Sequence, residues 1–235
     1  MSSRATRNKP NPLLADNQLR SFGRLAARMS PEAQEALEQK LAPLLLAADK
    51  PVDLSIFPQQ GRLFVELGAG MGDQILVRAK QNPADRFIAC EVYRNGLRDM
   101  AAGAEQHGLQ NLRFFAEDGR KLLDLLPPQS IDMLMVLYPD PWHKRRHHKR
   151  RIIQTAFLDQ VAKVLKPGGQ LLLATDITSY ALWMLERLLP HKDFIANALA
   201  PAEWATPPQG WVATKYERKA RREGRQTWYF TFTRK

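Results

Sequence analysis

Glu66-Leu67-Gly68-Ala69-Gly70-Met71-Gly72 closes a short apolar run and leads into a helical stretch. Glycines let the backbone turn tightly and let a ligand approach with no Cβ in the way. The spacing is G-x-G-x-G, and Asp73 stands where a dinucleotide fingerprint has its third glycine or alanine. A pyrophosphate at that helix N-terminus would be repelled by Asp73, which disfavours a nicotinamide dinucleotide. Taken alone, the glycine turn also fits plain structure. Glu66, at the end of the run, suits a ligand that carries positive charge and no phosphate. S-adenosylmethionine, with its sulfonium and ammonium groups, is such a ligand.

Two more acids stand at comparable places. Glu91 comes 23 residues after Gly68, at the end of the next apolar run, where a carboxylate can accept both hydroxyls of a ribose. Asp118 follows the third run and is positioned to accept from an adenine amino group. Each acid alone could be a solvated loop residue. Three of them after three successive strands argue for a site.

The fourth apolar run ends in Tyr138-Pro139-Asp140-Pro141-Trp142, followed by His143-Lys144-Arg145-Arg146-His147-His148-Lys149-Arg150-Arg151. Prolines on both sides of Asp140 restrict its backbone and hold the carboxylate in place. Trp142 offers either a flat face for a base or a hydrophobic plug. Six cations in nine residues suit a phosphate backbone. The three histidines have no cysteine or acid at ligand spacing, so no metal is expected.

Charge elsewhere has the same pattern. The chain has 35 Lys+Arg against 24 Asp+Glu, a net +11. Residues 1–30, 143–151 and 214–225 carry +5, +6 and +4, which leaves −4 on the rest. Three basic stretches on a mildly acidic body are the footprint of a polyanion partner. No apolar run approaches the roughly 20 residues of a membrane span, and the polar N-terminus does not read as a secretory signal. Cys90 is the only cysteine, so an internal disulfide is impossible. A cytoplasmic protein is expected.

These residues need a scaffold that presents the ends of several strands together. Apolar runs at Leu63–Leu67, Arg86–Glu91, Leu112–Ala116, Ile131–Leu137 and Gln170–Thr175 read as strands. A weak strand at Phe194–Leu199 and an alternating one at Trp228–Thr233 complete the set. Helices are expected at Gln74–Gln81, Arg94–His107, Lys121–Leu126, Ile152–Leu165 and Ser179–Leu189, with Lys166-Pro167-Gly168-Gly169 as a helix stop. This alternation predicts an α/β fold: a doubly wound, mainly parallel, seven-stranded, Rossmann-like sheet with ligands at the carboxyl ends of its strands. Residues 1–55 read as a basic arm, mobile or ordered by a partner, plus a short helix starting at Ser30-Pro31-Glu32. Residues 56–235 form the main domain.

Three motifs together resemble the bacterial tRNA (guanine-N7)-methyltransferase family. They are Glu66-x-Gly68-x-Gly70-x-Gly72, Pro139-Asp140-Pro141-Trp142 with its basic run, and Thr214-Lys215-Tyr216-Glu217-Arg218-Lys219. The first is generic; the other two are specific. The resemblance implies cofactor contacts at Glu66, Glu91, Asp118 and Asp140, with Gly68, Gly70 and Gly72 in the cofactor loop and Asp140 as the catalytic residue. It implies substrate contacts at Lys144, Asp176, Thr214, Lys215, Tyr216 and Glu217. RNA contacts are implied at Arg146, His147, His148, Lys149, Arg150 and Arg151. The expected cofactor is S-adenosylmethionine and the expected partner is tRNA, methylated in its variable loop by a monomer or homodimer. His143 stands where the family usually has proline, Tyr138 where phenylalanine is common, and the N-terminal arm does not match. A non-catalytic or diverged RNA-binding protein on the same fold is the alternative; it would not need all four strand-end acids.

Replacing Glu91 with alanine is expected to weaken S-adenosylmethionine binding by about 1.5–3 kcal/mol, the cost of leaving two hydroxyls unpaired at a partly buried site. Calorimetry of the folded variant measures this, and an unchanged dissociation constant refutes the assignment.

Overall fold

A computed structural model describes residues 30–235. The basic arm read from the sequence lies outside the described residues. Strands β1 (Leu63–Leu67), β2 (Arg86–Cys90), β3 (Leu112–Phe115), β4 (Ile131–Leu137), β5 (Leu165–Thr175), β6 (Phe194–Ala196) and β7 (Trp228–Arg234) form one sheet in the order β3-β2-β1-β4-β5-β7-β6. The first five run parallel; β7 is antiparallel to β5 and β6. The helices are α1 (Pro31–Leu41), α2 (Ile75–Gln81), α3 (Arg94–Gln106), α4 (Gly119–Leu125), α5 (Thr155–Val164), α6 (Thr178–Leu188), α7 (Pro201–Trp204) and α8 (Lys215–Arg222). None of the described helices is long and apolar enough to cross a membrane.

Strand alternation sorts the core into two layers. Leu63, Val65 and Leu67 of β1 and Ile88 and Cys90 of β2 pack with Leu122, Phe157, Val161, Tyr180 and Met184, on α4, α5 and α6. Phe64, Phe87 and Ala89 pack with Ile75, Ala79, Leu97 and Met100, on α2 and α3. Glu66 shares the parity of Phe64, so the pleat that builds the second layer also turns a carboxylate inward at the end of β1.

The outline of the sheet matches the sequence reading, with local differences that have physical causes. The helix expected from Ile152 begins at Thr155. Ile152 and Ile153 look helical by composition, but Ile153 is an anchor. It is fully buried, its N–H faces the Tyr180 hydroxyl at 3.5 Å, and its carbonyl accepts from Trp183 Nε1 at 2.7 Å. The Lys-Pro-Gly-Gly turn lies within β5 rather than before it. Leu165 pairs with Ile131, the register shifts, and pairing resumes between Gln170 and Met133. Lys166 Nζ closes this bulge on the Asp132 carboxylate at 2.8 Å.

Helix α8 has no counterpart in the apolar pattern, because only Glu217 and Ala220 of its residues are buried. Its signal is the Thr-x-x-Glu spacing of a capping box. Thr214 is the N-cap and its Oγ1 accepts from Glu217 N–H at 3.2 Å.

Candidate active site

In a sheet ordered 3-2-1-4-5 the crossovers leave β1 in one direction and β4 in the other, and a crevice opens at the strand ends between them. A cleft lies there. Gly68, Gly70, Glu91, Asp118, Tyr138, Asp140, Trp142, Arg150 and Tyr216 are among its lining residues. A smaller hollow beside it is lined by Glu66, the Gly68–Met71 turn, Asp73, Tyr138 and the Thr214–Tyr216 segment.

The glycine turn has two distinct parts. Gly68 and Gly70 adopt φ of 74° and 60°, and a Cβ on either would meet nothing within 4 Å. Backbone conformation demands glycine there, and the space is left for a ligand. Gly72 is different. A Cβ on it would stand 2.7 Å from the Met100 side chain and 3.0 Å from Leu76. Gly72, expected in the cofactor set, is buried and lines neither the cleft nor the hollow; it allows α2 to pack on α3. Gly96, which sequence reasoning missed, is the tighter constraint. A Cβ there would lie 2.3 Å from the Gly70 carbonyl oxygen. A glycine on the face of an amphipathic helix was its only trace in the sequence.

Glu91 supports the turn from beneath. One carboxylate oxygen accepts the Gly70 N–H at 2.7 Å and the other the Tyr93 N–H at 2.8 Å. Burial pushes its pKa up, against the pull of those backbone hydrogen bonds. Each oxygen has a second lone pair, so a ribose hydroxyl can still be accepted. Asp118 is the N-cap of α4, accepting the Arg120 N–H at 2.9 Å, and it pairs with the Arg120 guanidinium. Burial alone would raise its pKa; the Arg120 hydrogen bonds and charge outweigh this and hold it below the ordinary value.

Glu66 is 3% exposed and its Oε2 is buried with no hydrogen-bond partner. Burial pushes its pKa up to about 8, although the charge of Arg78 opposes the shift. A buried carboxyl with an unmet acceptor is a receptor for a donor brought by a ligand.

At the end of β4, Tyr138 and Trp142 both have positive φ, 51° and 46°. Such conformations cost non-glycine residues on the order of 1 kcal/mol or more each, and the surrounding structure must hold them. The Tyr138 N–H donates to the Ala174 carbonyl at 2.8 Å, and its ring stacks on Tyr216 at 5.9 Å between centroids. Asp140 sits between Tyr138 and Trp142 in the chain, partly exposed in the cleft, with its pKa raised by burial. The Arg150 guanidinium lies 4.9 Å from the centre of the Trp142 ring, a cation–π pair that forms part of the cleft wall.

The residues expected to meet substrate or RNA divide. Lys144, Arg146 and Lys149 are exposed, and His147 is half-buried against Trp142. His148 packs edge-on against Trp183 at 5.3 Å. Arg151, expected among the RNA contacts, is 2% exposed and turned inward. Glu217, expected to meet substrate, is fully buried; its carboxylate accepts from Trp211 Nε1 and from Arg221, each at 2.5 Å. It braces α8. Asp176 is ion-paired with Arg225 at 2.6 Å and is not among the residues lining the cleft. Thr214 is buried as the α8 cap, which leaves Tyr216 as the member of its segment on the cleft wall. Lys215 Nζ lies over the Tyr216 ring at 5.1 Å.

Asp73, noted in the sequence only for what it excludes, ties the two halves together. Its carboxylate accepts the Lys215 N–H at 2.8 Å, at the first turn of α8, and faces Arg218 at 3.5 Å. Gln74, next to it, donates to the Val212 carbonyl. The glycine turn and the Tyr216 segment are thus fastened to each other directly. The histidines of the basic loop form no candidate metal group. Among the described residues, ligand atoms of Asp159, His191 and Asp193 lie within 4.8 Å of one another, where His191 Nδ1 accepts the Asp193 N–H at 3.3 Å.

A family model described as a putative methyltransferase matches residues 60–230. A tRNA (guanine-N(7)-)-methyltransferase of Rhizobium meliloti (strain 1021) is 40% identical over 218 residues, 91% of this chain and 94% of the relative. One from Hyphomonas neptunium (strain ATCC 15444) is 37% identical over 214 residues, 90% of this chain and 98% of the relative. This chain belongs to the tRNA (guanine-N7)-methyltransferase family. Among solved structures, the 16S rRNA methyltransferase KamB superposes with a TM-score of 0.54 at 19% identity, covering 90% of this chain and 97% of its own. At that identity the likeness concerns the fold, and it identifies the seven-stranded sheet as the Rossmann-like methyltransferase type.

The state of Glu66 gives a proton test. With a pKa of about 8 the unliganded carboxyl is largely protonated at pH 7. An ammonium placed beside it favours the ionised form and lowers that pKa. S-adenosylmethionine binding is therefore expected to release a proton from Glu66 and to tighten as pH rises from about 6 to about 8. Calorimetry in two buffers of different ionisation enthalpy reads the proton count. Wild type should release more than Glu66→Gln, and equal counts exclude Glu66 from the cationic end of the cofactor.

Proposed function

We propose that this protein transfers the methyl group of S-adenosylmethionine to N7 of a guanosine in tRNA, and that this guanosine lies in the variable loop. The observation that carries the reading is the shared cleft: Glu91 and Asp118, after β2 and β3, line it together with Asp140, Trp142 and Tyr216. The names of the relatives supply the nucleobase atom.

The residues present fit the cofactor. Glu66, with its orphaned Oε2, suits the ammonium; Gly68 and Gly70 leave space for close approach; Glu91 suits the ribose hydroxyls and Asp118 the adenine amino group. When bound, S-adenosylmethionine supplies an electrophilic methyl group on a sulfonium. Guanine N7 has a lone pair and no proton, so the protein need not provide a general base. Its task is placement in line with the methyl group. As N7 becomes bonded, positive charge develops on the purine, and the carboxylate of Asp140 stabilises it. Trp142 and Tyr216 offer aromatic faces to the base. The outward cations of the β4–α5 loop, Lys144, Arg145, Arg146 and Lys149, neutralise phosphates at the rim. A module that only bound RNA would have no use for the strand-end acids. The reading places the protein in the cytoplasm with its tRNA.

The N7-methylated base carries a fixed positive charge and its glycosidic bond is weakened. Incubation with tRNA and S-adenosylmethionine, then reduction and aniline treatment, should cleave the tRNA once, in the variable loop. Base flipping costs least for a base outside a regular helix, which favours a loop. Asp140→Ala should lower the yield by about 10²-fold or more. Cleavage elsewhere rejects the target, and a different methylated nucleoside rejects the mechanism.

A further inference from the structure

Arg151 ends a run of cations that invites a single reading as a phosphate-binding strip, yet its side chain takes the opposite direction. Residues Arg145–Arg150 form a 3-10 turn, and the Arg151 N–H closes it on the His148 carbonyl at 3.0 Å. From there the guanidinium enters the protein. Its carbon lies 4.8 Å from the ring centres of both Tyr180 and Trp183 on α6. Nε donates to the Pro141 carbonyl at 2.8 Å, and Nη1 faces the Ser179 carbonyl at 3.5 Å. Nη2 is buried without a partner. A phosphate contact needs an open path to a guanidinium nitrogen, and a side chain 2% exposed does not offer one.

We infer that Arg151 is a positioning residue: it pins the Pro141 carbonyl to α6 and thereby fixes Asp140 and Trp142 in the cleft. Pro141 is the residue between those two. The backbone around it carries the strained conformations of Tyr138 and Trp142, and strained backbone persists only where neighbours over-determine it. Arg151 supplies such a restraint from a wall that is itself anchored. Tyr180 is fully buried, and Trp183 Nε1 donates to Ile153, two residues beyond Arg151. A planar fork 4.8 Å from the centres of two rings can hold one carbonyl at a set distance; a lysine ammonium at the same place keeps the charge and loses the plane. One basic run thus contains two functions, with outward cations for RNA and a final inward one for the geometry of the reacting acid.

This rests on Asp140 acting beside the reacting guanine. The test compares wild type, Arg151→Lys, Asp140→Ala and the double variant, with Lys149→Ala as the phosphate-contact standard. Arg151→Lys is expected to lower kcat on the order of 10²-fold, the scale for displacing a reacting group by about 1 Å. KM for tRNA and the dissociation constant of S-adenosylmethionine should stay within about twofold, the latter also reporting an intact fold. The slope of log binding constant against log salt should match wild type for Arg151→Lys and fall by about 0.7–0.9 for Lys149→Ala. In the Asp140→Ala background, Arg151→Lys should cost little further turnover, because the group it positions is gone. A reduced salt slope with normal kcat makes Arg151 an RNA contact and overturns the proposal. Full additivity with Asp140→Ala, or lost cofactor binding, makes it general scaffolding and overturns it equally. Wild-type protein that forms no N7-methylguanosine refutes the reading of Asp140, while the salt slope still decides whether Arg151 meets phosphate.

Discussion

The reversal of strand order between β1 and β4, which run parallel, is the constraint on which the rest depends. Strands laid outward from β1 to β3, and then from β4 to β5, leave the ends of the two central strands without a crossover between them. Each strand delivers its last residues to that edge: Glu66 from β1, Glu91 just past β2, Asp118 after β3 and Tyr138–Trp142 after β4. The antiparallel β7 completes the arrangement. Trp228, its first residue, pairs with Thr175, the last of β5, so the segment ahead of β7 returns to the same edge. That is why α8, distant in sequence, places Tyr216 on the cleft wall.

Concentrating acids at one edge has an electrostatic cost, and the structure meets it differently for each. Asp118 is held ionised by Arg120. Glu91 is bound by two backbone N–H groups. Glu66 has one unmet oxygen and keeps its proton near neutral pH. Asp140 remains partly exposed, with burial raising its pKa. The proposed cationic cofactor, bound among these groups, would stabilise the charges that crowding disfavours. Two cations stand on the cleft wall itself: Arg120, beside Asp118, and Arg150. Arg150, on Trp142, is the cation of the β4–α5 loop that reaches the wall.

Much of this was legible in the chain. Leu63–Leu67 and Ile131–Leu137 form strands with the bounds their apolar runs imply, because strands buried on both faces leave little ambiguity. Glu91, Asp118 and Asp140 line the cleft that the alternation of elements located. Three features were not legible, each for a different reason. The clash that forbids a side chain at Gly96 arises between α3 and the glycine turn, and no local pattern encodes it. Helix α8 buries a carboxylate and an alanine, so a search for apolar periodicity passes over it although its cap is written in Thr214 and Glu217. Arg151, in a run whose charge suits phosphate, and Glu217, a substrate contact by resemblance, are both buried, and that burial is decided by neighbours on α6 and by Trp211 and Arg221.

In the proposed reaction the methyl group passes directly to a lone pair that needs no deprotonation, and Asp140 acts through charge alone. A tRNA transcript carrying 7-deazaguanosine in place of guanosine tests this most directly, since a carbon replaces the nucleophilic nitrogen and the phosphate backbone is unchanged. The transcript should bind the protein with near-normal affinity, and nucleoside analysis after incubation with S-adenosylmethionine should find no methylated base. A methylated nucleoside in that transcript would contradict the account, because it would require a different acceptor atom in the same cleft.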